Sequence, residues 1–154
     1  MYITLKMTIQ DQEISLDVNL TNRAGRIYRQ QYNRDLLKDM SDIYKKLHRS
    51  MFAGIDLKGV DLSGKTEAEI SAEIMKHVDL AEVLENQETA YLDFEESERA
   101  GQVIWAFVKN KAADIPNYEE WIDSFDFILP VGEIVNALYD AWHKSAQPTV
   151  ELKN

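Results

Sequence analysis

Few residues in this 154-residue chain have both the type and the spacing that chemistry requires. The histidines, His48, His77 and His143, stand far apart, with no HExxH or comparable zinc-ligand spacing. They read as surface residues on helix faces. The acids of DFEESE, residues 93–98, could offer carboxylate oxygens to a metal. The alternating oxygen ligands and central glycine of a calcium loop are missing, however, so they read as a solvated helix start. GVDLSGK, residues 59–65, has a glycine-lysine pair like a phosphate loop but lacks the GxxxxGK[ST] spacing, and reads as a turn. Ser41, Ser50 and Ser63 have no glycine-framed elbow and no evident base. The absence of cysteine removes thiol nucleophiles, cysteine-ligated zinc and a disulfide scaffold, and suits a reducing cytoplasm. The sequence predicts no enzyme, no metal and no cofactor.

What remains is binding chemistry. The formal charge is −10, divided unevenly: residues 1–60 carry 10 basic and 7 acidic side chains, residues 61–154 carry 7 basic and 20 acidic ones. So acidic a chain repels nucleic-acid phosphates, which predicts no nucleic-acid partner. The basic residues Arg23, Arg26, Arg29, Arg34, Lys38, Lys45, Lys46 and Arg49 lie along one predicted helix. They either dock an acidic partner or form a solvated face moderated by Asp35, Asp39 and Asp42. Trp105, Trp121 and Trp142 all fall in the last 50 residues. Tryptophan serves both cores and interface hot spots. Trp105 and Trp142 read as core, while Trp121 is open between core and partner contact.

The elements that position these residues follow from periodicity. Ile3, Leu5, Met7 and Ile9, then Ile14, Leu16, Val18 and Leu20, alternate with polar residues on either side of QDQE. This predicts a β-hairpin over 1–20 whose apolar face packs on helices. Tyr28, Tyr32, Leu36, Met40, Ile43, Leu47 and Met51 recur every three or four residues, which predicts one long helix over 22–52 with Thr21 or Asn22 as its cap. Gly54, Gly59 and Gly64 mark a glycine-rich loop over 54–65. A helical region over 66–147 follows, opened by a Thr66/Glu69 capping box and the stripe Ile70, Ile74, Val78 and Ala81. Residues 79–96 are ambiguous, with a short helix around 81–92 as one reading, and 95–113 reads as helix with Val103, Ile104, Phe107 and Val108 inward. The expected fold is mainly α with a small N-terminal β-hairpin, a single domain over 1–147 with a flexible tail at 148–154. Its start, MYITLKMTIQDQEI, has no continuous apolar run, and VIWAFV falls far short of the roughly 20 residues a membrane helix needs. The expectation is a soluble protein of intracellular type with no membrane partner.

DIPNYEEWIDSFDFILPVGEIV, residues 114–135, is the most distinctive stretch. Pro116 stops the preceding helix, Asn117 caps a short helix over 118–125, and Pro130 opens the last helix. Within it Tyr118, Trp121 and Phe125 share one face. The run IWAFVKNKAADIPNYEEWIDSFD, residues 104–126, resembles the C-terminal half of tail assembly chaperones from long-tailed phages and prophages of Gram-positive bacteria. Trp105, Ala106, Lys109, Ile115, Pro116, Trp121 and Phe125 carry the resemblance. NRAGRIYRQQYNRDLL, residues 22–37, and the hairpin before it are similar to the family's N-terminal segment. Residues 54–95 resemble nothing in the family.

The resemblance implies a non-catalytic assembly factor in the host cytoplasm, absent from the mature virion. Its partners would be the tape measure protein, the tail tube protein and possible further copies of itself. A tape measure is a long amphipathic helical chain whose exposed apolar face invites aggregation, and an acidic partner covering that face keeps it soluble. Trp121, Phe125 and Tyr118, with Arg26 and Arg29 on the basic helix, are the candidate contact residues. The ending Leu152-Lys153-Asn154 is compatible with a slippery heptamer for a −1 ribosomal slip, which would yield a longer second form. Two rival readings accompany this one: a structural virion component, such as a head–tail connector or minor tail protein, and a small acidic regulator binding a basic protein.

Overall fold

The computed structural model describes residues 1–51, 63–76 and 92–146. The fold is mainly α-helical with an N-terminal antiparallel hairpin. Strands β1 (Tyr2–Ile9) and β2 (Gln12–Asn19) pair with Ile3 opposite Val18, Leu5 opposite Leu16 and Met7 opposite Ile14, so the alternating apolar residues meet across the ladder. The connection is tighter than the four polar residues of the expectation. Only Gln10 and Asp11 form the turn, both at positive φ (51° and 63°), the pair of left-handed residues whose twist matches two flanking strands. Gln12 and Glu13 therefore join β2. Leu16, Val18 and Leu20 are buried, whereas Ile3, Leu5, Met7 and Ile9 on β1 are half-covered.

The helical pattern of residues 22–52 divides into two helices, α1 (Asn22–Tyr32) and α2 (Leu36–Met51), in place of the predicted single one. Asn33 takes a left-handed conformation (φ 53°) and its N–H closes on the Arg29 carbonyl, which ends α1. Asp35 then starts α2, its carboxylate accepting from the Lys38 N–H at 2.9 Å. Short polar residues at 33 and 35 thus stop and restart the helix inside a continuous apolar stripe.

By its contacts the chain forms two compact units, residues 1–44 with 92–154 and residues 45–91, where the sequence predicts one domain over 1–147. Within the second unit, α3 (Glu67–Lys76) starts at Thr66, whose hydroxyl accepts from the Glu69 N–H at 3.3 Å. Lys65 pairs with Glu73 at 3.4 Å. Of the predicted glycine-rich loop, Ser63 and Gly64 form a turn with Gly64 at φ 72°. Residues 54–62, the ambiguous stretch through 91 and the tail at 148–154 lie outside the described residues.

In the first unit everything is built on α4 (Phe94–Lys111). A reciprocal capping box starts it, with the Asp93 carboxylate accepting from the Glu96 N–H at 2.8 Å and Glu96 accepting from the Asp93 N–H at 3.2 Å. Ala100, Gly101 and the run from Val103 to Val108 are buried, so beyond its polar first turns this helix is covered nearly all round and lies at the centre of the unit. It packs against β2, α1, α5 (Tyr118–Asp123) and α6 (Val131–Ser145). Full burial of a Val, Ile or Phe side chain stabilises by about 1.5–3 kcal/mol, which makes α4 the main source of cohesion. From α6, Ile134, Val135 and Leu138 complete the core, with Trp142 half-buried against Phe107, ring centroids 6.0 Å apart.

Candidate functional site

The residues that carry the family resemblance gather into one corner after α4. Trp105 is 4% exposed, and its indole N–H donates to the Pro116 carbonyl at 2.8 Å. Lys109, in the last turn of α4, donates to the carbonyls of Ala113 and Ile115. The helix-loop pattern is therefore a set of main-chain ties: the tryptophan and the lysine hold the loop containing Ile115-Pro116 against the helix that precedes it. Asn117 then caps α5, its side-chain oxygen accepting from the Glu120 N–H at 2.9 Å. The short helix ends at Asp123, two residues before the predicted boundary, with Ser124 as its C-cap.

Tyr118 and Trp121 point inward, at 4% and 5% exposure. The Tyr118 ring lies directly over Gly101, where a Cβ would collide with its hydroxyl. Burial, and after it the Glu98 carboxylate, push the Tyr118 phenol pKa upward. Trp121 meets Phe125 edge-on at 5.2 Å, and Phe125 lies 5.4 Å from Phe127. Trp121, open on sequence grounds, is thus packed into the interior beside Tyr118, and Phe125 is half-buried. Arg26 and Arg29 are exposed on α1 and line an open depression of about 200 Å³ with Gly25, Arg34, Asp35 and Leu37. None of the aromatic candidates lines the depression that Arg26 and Arg29 share.

Arg34 and Asp39 depart from the solvated basic face. Asp39 is buried and accepts a hydrogen bond from the Tyr28 hydroxyl at 2.6 Å, and Arg34 pairs with it at 3.2 Å. Arg34 also donates to Tyr28 at 3.0 Å and to Gln102 on α4. These charges fix the α1–α2 corner to α4 and leave the surface charge of α1 to Arg23, Arg26 and Arg29.

An open, largely apolar groove of about 320 Å³ lies between the first turns of α4, α5 and the chain entering α6. Phe94, Tyr118, Ile122, Phe127, Ile128 and Leu129 line it, with Ser97 and Glu98 on the α4 side. Two of these side chains face solvent almost completely, Phe94 at 81% and Ile128 at 92% exposure. Acids stand beside the lining residues in the chain: Asp93 and Glu95 flank Phe94, Asp123 follows Ile122, and Asp126 precedes Phe127. Arg99 lies one turn into α4 and pairs with Glu95 at 3.3 Å. Sequence periodicity does not single out Phe94, the first residue of its helix, or Ile128, one of four consecutive apolar residues in FILP. The available signal is the contrast itself, a large apolar residue set among acids.

Among the described residues no group of three or more histidines or carboxylates is placed to hold a metal ion. No described helix is long and apolar enough to cross a membrane. Compared with known proteins, the chain matches no family profile, no curated protein and no solved structure.

Proposed function

We propose that this chain is a non-catalytic tail assembly chaperone of a long-tailed phage or prophage. It binds the tape measure protein in the host cytoplasm, promotes tail tube assembly and is left out of the mature virion. The observation that carries this reading is the open apolar groove, with Phe94 and Ile128 exposed, on a body of formal charge −10. A holder of an amphipathic client needs both parts. An apolar surface covers the client's sticky face, and net charge keeps the complex apart from other complexes. The resemblance over residues 104–126 supplies the identity of the client. Nothing in the reading calls for a cofactor or a reacting group.

Co-expression tests it. The tape measure protein from the same genome is expected to shift from the insoluble to the soluble fraction when this chain is present, and to co-purify with it. Mass spectrometry of purified particles is expected to find no copies of the chain. A tape measure protein equally insoluble with and without it would end the chaperone reading, and stoichiometric copies in the particles would make it a structural virion component.

A further inference from the structure

We infer that the groove between the start of α4, α5 and residues 127–131 is the docking surface for a basic amphipathic helix of another protein. This assignment rests on the chaperone reading for the name of the partner, but its chemistry stands on the groove alone. Small-molecule sites enclose most of their ligand, whereas this surface is open and leaves two large apolar side chains, Phe94 and Ile128, in solvent. Phe94, directly after the capping-box residue Asp93, and Ile128, in the irregular chain before Pro130, both line the groove and stand out in solvent. Exposed anchors of this size, backed by the buried Tyr118 and Leu129, suit apolar side chains arriving from a macromolecule.

The lining decides the partner's backbone. Among the described residues no β-strand borders the groove, so side chains rather than a ladder edge carry recognition there. Residues spaced i, i+3, i+4 and i+7 on a helix present a continuous apolar stripe of that kind. The charge follows from the rim. Glu98 lines the groove, the exposed Asp123 and Asp126 adjoin the lining residues Ile122 and Phe127 in the chain, and Arg99, one turn into α4, is engaged by Glu95. A stripe flanked by lysines or arginines is attracted, and one flanked by acids is repelled.

The test uses the full chain and a synthetic peptide of about 18 residues, about five helical turns, with leucines along one stripe and lysines elsewhere. Fluorescence titration is expected to show binding of this peptide and none of its glutamate counterpart. The double variant Phe94→Ser with Ile128→Ser should bind it about tenfold or more weakly. Leu37→Ser, which alters an exposed apolar residue on α2, should bind it like the wild type. Both groove positions are largely solvent-exposed, and circular dichroism checks that the variant keeps the wild-type fold. Equal binding by wild type and double variant would overturn the assignment. So would sedimentation showing a dimer that the double substitution dissociates, because the occupant would then be a second copy. Co-expression with the tape measure protein separates this inference from the chaperone reading. Loss of client solubility in the double variant supports the groove. Equal rescue by both proteins sinks the groove and keeps the chaperone. Peptide binding at the groove without any client rescue keeps the groove and sinks the chaperone.

Discussion

The hydroxyl of Tyr28 donates a hydrogen bond of 2.6 Å to the buried carboxylate of Asp39, across the break between α1 and α2. Arg34, from the short connection, sits over both, 3.0 Å from the Tyr28 oxygen and 3.2 Å from Asp39, with its guanidinium 5.0 Å from the Tyr32 ring centre. A buried carboxylate is tolerated only when paired and hydrogen-bonded, and here one helix supplies the phenol and the connection supplies the cation. The corner is thus specified by polar groups, although the two helices share one apolar stripe.

Tyr28→Phe should therefore cost about 1.5–3 kcal/mol, the range for a hydrogen bond to a charged group. Asp39→Asn should cost less than Asp39→Ala, since the amide oxygen still accepts from the phenol. Urea unfolding with an unchanged m value checks both. Equal stability of Tyr28→Phe and wild type would mean that Arg34 alone satisfies the carboxylate.

Gly101 is required by close approach, because a Cβ there would meet the Tyr118 hydroxyl and ring. Gly101→Ala gains helix propensity worth about 1 kcal/mol but forces a buried aromatic residue to move, an overpacking cost of about 1–3 kcal/mol. The net expectation is a lower melting temperature. Adding Tyr118→Phe should recover part of the loss, because the hydroxyl makes the closest contact. A Gly101→Ala protein more stable than wild type would show that α5 rides outward without cost.

The hairpin, α4 and the α5 corner are legible because their signals are local: period-two alternation, the inward stripe Val103, Ile104, Phe107 and Val108, and the Asn117 cap between two prolines. The break at residues 33–35 is not. The stripe Tyr28, Tyr32, Leu36, Met40 continues through it without a phase change, and asparagine is only weakly disfavoured inside a helix. Asn33 and Asp35 make the break, and Asp39 meeting Tyr28 and Arg34, a tertiary contact, holds it in place. Trp121 shows the same limit at the candidate site, since sequence gives the shared face with Phe125 but cannot say whether that face meets the core or a partner. Phe94 and Ile128 carry no periodic signal, because exposure of an apolar side chain has no periodic signature.

Alkaline pH should destabilise the fold early. Burial is the first cause that raises the phenol pKa values of Tyr28, Tyr32 and Tyr118, with Tyr32 pushed up to about 12 from an ordinary 10.0. For Tyr32 the unfolded chain releases its proton near pH 10 while the folded chain still holds it. Its contribution is complete below that pH and is lost as pH rises toward 12. Stability measured by urea unfolding should fall across this window, and Tyr32→Phe should flatten the fall. Absorbance titration should find these phenols ionising later in the native protein than in urea. Coincident titration curves would contradict the burial of these rings.

Asn110 ties the end of α4 to the exit of the hairpin, and the tie explains an anomaly at α1. Thr21 occupies the N-cap position of α1, yet its hydroxyl makes no capping hydrogen bond. That oxygen instead accepts from the Asn110 side-chain amide at 2.8 Å, and the same amide group donates to the Asn19 carbonyl, also at 2.8 Å. Asn110 is buried, and its one amide group serves both acceptors, with the Asn19 carbonyl also accepting from the Thr21 N–H at 3.2 Å. Asn110→Ala removes the donor and opens space, leaving the Asn19 carbonyl without this partner, at a cost of about 1–3 kcal/mol. Asn110→Asp keeps the shape but replaces the donor with a charged acceptor facing two oxygens, and should cost more than alanine at neutral pH. Lowering the pH protonates the carboxyl and restores one donor, so the aspartate variant alone should regain stability in acid relative to wild type. Melting curves of the three proteins at pH 4 and pH 7 read this directly. An aspartate variant as stable as wild type at pH 7 would show that the hairpin is held to α4 by apolar packing of Leu16, Val18 and Leu20 without the polar tie.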